Sequence, residues 1–203
     1  DGIMKSFFFI PGDHPKLEEK VRSIDADHLV IDLEDAIHAN ELSEAARKVQ
    51  TLDDKSVFVR PRLQGSVEGQ DATFIELLNA GFRNFVIPKF QTAADLAEVE
   101  TALRKRAIFD EQIVLLIENP KALINLQKIL IETKLNVVGL AFGSQDFCAE
   151  SNMKHDETTL LVPRFMIACM ASMFELMAID IACMDIFNDQ RFANELEAAK
   201  ALG

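Results

Sequence analysis

Three carboxylates fall within four positions in Val30-Ile31-Asp32-Leu33-Glu34-Asp35-Ala36-Ile37, at the end of an apolar run. Mutual repulsion and desolvation both oppose such a cluster, so positive charge must meet it. Other apolar runs end in suitable groups: Arg60 and Arg62 after "VFV", Lys89 after "FVIP", Glu118 after "IVLLI", and Gln145 with Asp146 after "GLAFGS". Glu118 and Asp146 suit Mg2+, which takes hard oxygen ligands and keeps positions open for water and substrate. The alternative is that both acids only cap the helices that follow. Arg60, ahead of Pro61, is suited either to grip a substrate carboxylate bidentately or to pair structurally with an acid of "DLED". Lys89 offers a counter-charge or base, or an ion pair that stabilises the acids. Strand alternation sets Asp32 and Glu34 on one face and turns Asp35 to the other, where it caps or orients.

Elements that gather such residues are legible along the chain. Apolar, β-rich runs recur at 7–12, 28–35, 57–63, 84–90, 113–119, 137–146 and 178–185. Helical periodicity lies between and after them, at 14–24, 41–52, 71–81, 92–107, 120–133, 160–177 and 191–203. Strand followed by helix, repeated, indicates a parallel sheet covered by helices, and strands apolar along their whole length suit burial on both faces. A doubly wound nucleotide fold would favour a glycine-rich first turn, which "FIPGDHPK" lacks. A TIM-type (β/α)8 barrel brings the polar strand ends to one mouth. Such a barrel takes about 250 residues; residues 1–203 are therefore expected to form a single (β/α) barrel domain without its eighth strand. The chain is then either a fragment, with Gly203 at the turn into that strand, or a short form whose open edge must be covered.

Composition narrows the functional classes. Thirty-three acids against 21 Lys and Arg give a net charge of −12, which repels a phosphate backbone and argues against nucleic acid as a partner. Cys148, Cys169 and Cys183 lack metal or disulfide spacing and are expected as buried thiols in a cytoplasmic protein. The apolar run before Pro11 is too short for a signal peptide. "FMIACMASMF", residues 165–174, falls short of the roughly 20 residues that span a bilayer and is expected as a buried helix. Its Met166, Met170 and Met173 are expected in the core, together with Met177. His14, His28, His38 and His155 show no metal spacing and are assigned no chemistry. Asp180 and Asp185 flank the seventh run, with Asp185 at its C-terminal end in a turn or cap.

In order, "FIPGDHPKLEEKV", "VIDLEDAI", "EAARKVQ", "VFVRPRL", "VIPKFQTAADL", "LLIENPKAL", "LAFGSQDF", "LLVPRFMIA" and "AIDIACMD" resemble the citrate lyase beta-subunit family of the HpcH/HpaI aldolase superfamily, from about residue 7 to the end. That resemblance implies a (β/α)8 barrel that binds Mg2+ and cleaves or forms a carbon–carbon bond in a 3-hydroxyacyl thioester. It places the metal-binding acids on Glu118 and Asp146, the active-site arginine on Arg60, the supporting acids on Glu34 and Asp35, and the lysine of "PK" on Lys89. It also implies an acyl-CoA substrate in preference to an acyl-carrier protein, and a homo-oligomer, with a trimer typical of the family. Five positions in three motifs depart from the family pattern. Asn119, Pro120 and Ala122 stand in an "ETARG"-like turn, Gln145 replaces a Glu, and Arg62 stands where Asn is common.

The expected activity is therefore a Mg2+-dependent lyase that splits a citryl-, malyl- or citramalyl-CoA type of thioester into an acyl-CoA and a 2-oxo acid. Hydrolysis of the same thioesters, and a noncatalytic barrel without turnover, are the alternatives.

Overall fold

The computed structural model describes residues 5–38, 40–63, 72–185 and 187–202. Its strands are β1 (Phe7–Pro11), β2 (His28–Asp32), β3 (Phe58–Arg60), β4 (Asn84–Ile87), β5 (Gln112–Ile117), β6 (Val137–Phe142) and β7 (Met177–Ile179). They form one sheet in sequence order, every neighbouring pair parallel. The crossovers are α1 (Leu17–Ser23), α2 (Leu42–Gln50), α3 (Ala72–Asn79), α4 (Ala93–Arg104), α5 (Pro120–Glu132), and then α6 (Ser144–Ser151) with α7 (Glu157–Met173). Helix α8 (Asp189–Leu202) follows β7.

Two apolar layers explain the uninterrupted hydrophobicity of the strands. Ile31, Val59, Phe85, Ile87, Ile113, Leu115, Ile117, Leu140 and Phe142 pack with the helices. The alternate side chains Val30, Phe58, Val86, Val114, Leu116 and Ala141 form a second cluster on the other face, joined by Phe7, Val138 and Ile179. That face is concave: the Phe7 ring of β1 lies 5.9 Å from Phe58 of β3, across β2. A parallel sheet curled around its own apolar interior and jacketed by helices is a TIM-type barrel. Among the described residues no pairing joins β7 to β1, so the eighth strand is missing from the ring.

The structure revises several expectations. Beta-strand β6 stops at Phe142 and α6 begins at Ser144, so Asp146 sits in a helical first turn instead of closing a strand. Helix α7 starts at Glu157 because the Asp156 carboxylate accepts a hydrogen bond from the Thr159 N–H at 2.9 Å. That helix is not buried all round. Leu160, Pro163, Arg164, Ile167 and Ala171 face the barrel, while Phe165 is 58% and Met173 60% exposed. Apolar residues here exceed the single stripe that a surface helix can bury. Met177 lies in β7, and of the three thiols Cys148 is buried, Cys183 half-buried and Cys169 exposed. Asp180, not Asp185, follows the end of β7, where the Arg164 guanidinium holds it through Nε at 2.8 Å and through Nη2. Gly203, and Asp71 at the expected start of α3, lie outside the described residues.

An ion pair fixes the entry to β5. Buried Glu111 accepts Arg104 Nη1 at 3.0 Å, Arg104 Nη2 at 2.7 Å and the Asn136 N–H at 3.2 Å. Burial alone would raise its proton affinity, but these hydrogen bonds outweigh it and hold the carboxyl below the ordinary glutamate value. A depressed carboxyl contributes stability above its unfolded pKa and loses it as pH falls through the folded one. An Arg104→Met chain is therefore expected to be less stable than the parent by about 1–3 kcal/mol at pH 7. In urea titrations repeated at lower pH, that difference should shrink as Glu111 becomes protonated in both chains.

Candidate active site

Alternation along the strands carries the apolar interior directly into a polar mouth. One turn of the pleat beyond Val30 and Phe58, Asp32 and Arg60 are register partners on β2 and β3. Arg60 grips Asp32 bidentately, Nε to Oδ1 at 2.8 Å and Nη2 to Oδ2 at 2.7 Å. Asp32 also accepts the N–H groups of Glu34 at 3.0 Å and Ala36 at 3.2 Å, which folds the following loop back over the mouth. Arg62 secures that loop by donating to the carbonyls of Glu34 and Ile37, so it holds backbone rather than an acid of "DLED".

With Nε and Nη2 committed, the remaining Arg60 nitrogen faces the acids of the mouth. Nη1 is 3.3 Å from Glu34, 3.2 Å from Asp35 and 3.9 Å from Glu118. Lys89 completes the group. Its Nζ lies 3.7 Å from Glu34, 4.0 Å from Asp35 and 3.9 Å from Glu118, and contacts Asp146 directly. Its N–H donates to Glu118 Oε2 at 2.8 Å. Arg60, Glu34, Asp35, Lys89, Glu118 and Asp146, brought from the ends of four strands and the start of α6, thus form one connected cluster. Asp32 anchors it from beneath. Asp32, Glu34 and Glu118 are buried, and Asp35 is exposed.

Burial shifts these groups strongly. It pushes the Glu34 carboxyl up to about 7, with Asp35 and Glu118 adding to the rise and Arg60 and Lys89 opposing it. Glu118 is also raised by burial, against the hydrogen bond and charge of Lys89. Burial works against the Arg60 charge, yet Asp32, Glu34 and Asp35 together hold the guanidinium above its ordinary value. One oxygen from each of Glu34, Asp35 and Glu118 lies within 4.8 Å of the others, a set of hard donors able to hold a metal ion. Glu34 Oε2 is buried without a hydrogen bond, and Arg60 Nη1 faces it at 3.3 Å as an ion pair.

Other residues outside the predicted site also shape the mouth. Gly143 lies so close to Glu118 that a Cβ there would come within 2.4 Å of Glu118 Cγ. Asn119 donates to the Phe90 carbonyl at 2.9 Å and accepts the Ala122 N–H at 2.8 Å, capping α5 ahead of Pro120. The departure from the "ETARG"-like turn therefore keeps a firm helix start. Ser144 Oγ and His155 Nε2 are 2.8 Å apart and tie the start of α6 to the loop before α7. A cleft of about 220 Å³ opens beside Lys89, Glu118 and Asp146, walled also by Gln91, Asn119, Ala149 and Glu150. The glycine directly after an apolar strand was the available sequence signal for Gly143; the Ser144–His155 contact has none.

Residues 5–203 match the family model described as HpcH/HpaI aldolase/citrate lyase. The chain belongs to that family. Among its relatives, the citrate lyase subunit beta of Leuconostoc mesenteroides subsp. cremoris is 23% identical over 218 residues, covering 99% of this chain and 70% of the relative. The mitochondrial citramalyl-CoA lyase of Homo sapiens is 26% identical over 224 residues, covering 98% of this chain and 65% of the relative. A solved structure of CitE from Mycobacterium tuberculosis, in complex with magnesium, acetoacetate and coenzyme A, superposes with a TM-score of 0.81 at 22% identity, covering 98% of this chain and 73% of that one. This HpcH/HpaI member thus shares the fold of a lyase family and spans about two thirds of the length of the curated relatives it matches. No helix among its described residues is long and apolar enough to cross a membrane.

Proposed function

We propose that the chain is a Mg2+-dependent carbon–carbon lyase that splits a 3-hydroxy-dicarboxylic acyl-CoA into an acyl-CoA and a 2-oxo acid. One observation carries this reading: among the described residues, five carboxylates, Asp32, Glu34, Asp35, Glu118 and Asp146, pair at the mouth with only the two cations Arg60 and Lys89. The excess negative charge calls for a further cation, and the all-oxygen donor set suits Mg2+. Glu118 and Asp146 would hold it, with Glu34 and Asp35, whose oxygens converge with that of Glu118, completing the donor set. When bound, the ion supplies Lewis acidity toward the hydroxyl and carboxylate of the substrate.

The protein's own groups divide the remaining work. Glu34 and Asp35 would relay the proton leaving the substrate hydroxyl. As that proton leaves, the carbon–carbon bond breaks and its electron pair passes to the acyl α-carbon, giving a thioester enolate; the other fragment departs as the 2-oxo acid. Arg60, fixed by Asp32, presents Nη1 to the developing negative charge without having to reorganise. A proton returned to the α-carbon then yields the acyl-CoA. The family's citramalyl-CoA lyase and the coenzyme A bound to the CitE neighbour support a CoA thioester. The exposed apolar stripe of Leu161, Val162, Phe165 and Met173 on α7, and the edges of β1 and β7 that pair with no strand among the described residues, support a homo-oligomer, which we place in the cytoplasm.

The test is product release from citryl-, malyl- and citramalyl-CoA, with Mg2+ and with chelator. Equal amounts of acyl-CoA and 2-oxo acid, abolished by chelator, are expected from one of them. Free CoA without 2-oxo acid would identify a thioesterase instead. Absence of either product from all three would reject lyase activity on this substrate class.

A further inference from the structure

Lys89 sits among acids from the loops after β2 and β5 and from the start of α6, and its backbone is unusual. Its φ is 58°, in the left-handed region that glycine or asparagine enters more easily. A glycine would relieve that strain but supply no charge. The strained backbone directs the Lys89 N–H to Glu118 at 2.8 Å and the ammonium into the ring of Glu34, Asp35, Glu118 and Asp146. Three of those acids are the ones whose oxygens converge closely enough for a metal ion.

The two cations of the mouth differ in freedom. The Arg60 side chain is 11% exposed and held through Nε and Nη2 by Asp32. That of Lys89 is 42% exposed, on a long flexible stem that borders the open cleft. We propose that Lys89 is a tethered counter-ion that competes with the divalent cation for the same carboxylates, and that metal entry displaces its ammonium from the acid ring. This rests on the reading of the ring as a metal site. The oxygens that an ammonium occupies are unavailable to a metal, and the two positive charges repel strongly at such separations in a partly buried site. In the metal-free chain the tether keeps the carboxylates from facing one another without compensation; in the loaded chain its charge turns toward the cleft.

Two experiments test the proposal. Calorimetric titration with Mg2+ is expected to give Lys89→Met an affinity at least about tenfold above the parent, since removing a unit charge within a few ångströms is worth that much even at an effective dielectric of about 20. Glu118→Gln should bind weakly or not at all, locating the ion. Equal or weaker binding by Lys89→Met would overturn the competition while leaving the metal site intact; absence of binding by both parent and Lys89→Met would overturn the metal site and the competition together. The second experiment needs no variant and so does not depend on Lys89→Met folding. Amine acylation of the parent, read by mass spectrometry, should modify Lys89 faster in Mg2+ than in chelator, while exposed Lys16 and Lys128 stay unchanged as references. An unchanged or slower rate at Lys89 would overturn the displacement.

Discussion

An Arg60→Met chain is expected to lose about 3–5 kcal/mol of folding stability at pH 7, the range for removing one partner from a buried ion pair. The substitution keeps an apolar stem beside Phe9, whose ring lies 5.6 Å from the guanidinium, so packing is largely preserved and the loss is electrostatic. Asp32 forfeits both arms of a bidentate pair, and Glu34 forfeits the nearer of its two cations. The pH dependence separates this from a packing defect. Glu34 keeps its proton up to about 7 in the folded chain, well above the 4.5 of an ordinary glutamate. Between those values the folded state binds more protons than the unfolded state, so stability falls as pH rises and levels off above the folded pKa. Arg60 opposes the rise in Glu34; removing it moves the folded pKa higher and extends the decline above pH 7. Urea titrations in chelator from pH 5 to 9 should therefore show the variant's deficit widening with pH. A deficit that stays constant across that range would assign the loss to packing.

The strand ends were legible because two patterns coincide in them. Apolar runs such as "IVLLI" and "HLVI" mark strands buried on both faces, and the first charged residue after each run marks the mouth. The same alternation placed Asp32 and Arg60 directly above Val30 and Phe58. Motif order along the chain added the family, and with it the barrel. What stayed hidden depends on distance or on backbone angle. Strand alternation pairs Asp32 with Glu34 and turns Asp35 away, but β2 ends at Asp32 and the turn divides the acids differently: Asp32 anchors Arg60 and the loop, while Glu34 and Asp35 together face the mouth. The start of the short helix α6 resembles an extension of β6 in sequence, because Gly143 and Ser144 look like strand-end residues although the chain turns there. Nor does any local pattern announce that Lys89 adopts a positive φ, since that conformation is imposed by the contacts its N–H and ammonium make across the mouth.

Glu118→Gln separates chemistry from folding most cleanly. The substitution preserves shape, and the amide oxygen still accepts the Lys89 N–H that Glu118 Oε2 accepts at 2.8 Å. It also removes a buried charge whose proton affinity burial has already raised, so the metal-free chain should be at least as stable as the parent at pH 7. Gly143 enforces the same conclusion from the steric side: with Glu118 Cγ only 2.4 Å from where a Cβ would stand, the side chain has one path to follow and glutamine must take it. Lyase turnover, by contrast, should fall by at least about a thousandfold, the several kcal/mol of charge stabilisation that a bound metal supplies, at 1.36 kcal/mol per tenfold. Mg2+ should also cease to raise the melting temperature, because a ligand stabilises a fold only in proportion to its occupancy. A buried acid that served only to cap α5 would behave in the opposite way. Asn119 already performs that capping, so the loss of Glu118 would then leave both turnover and Mg2+ response untouched. Measuring melting temperature with and without Mg2+ alongside product release places Glu118 on one side or the other: turnover retained within tenfold of the parent, with an unchanged Mg2+ shift, would remove it from the metal site.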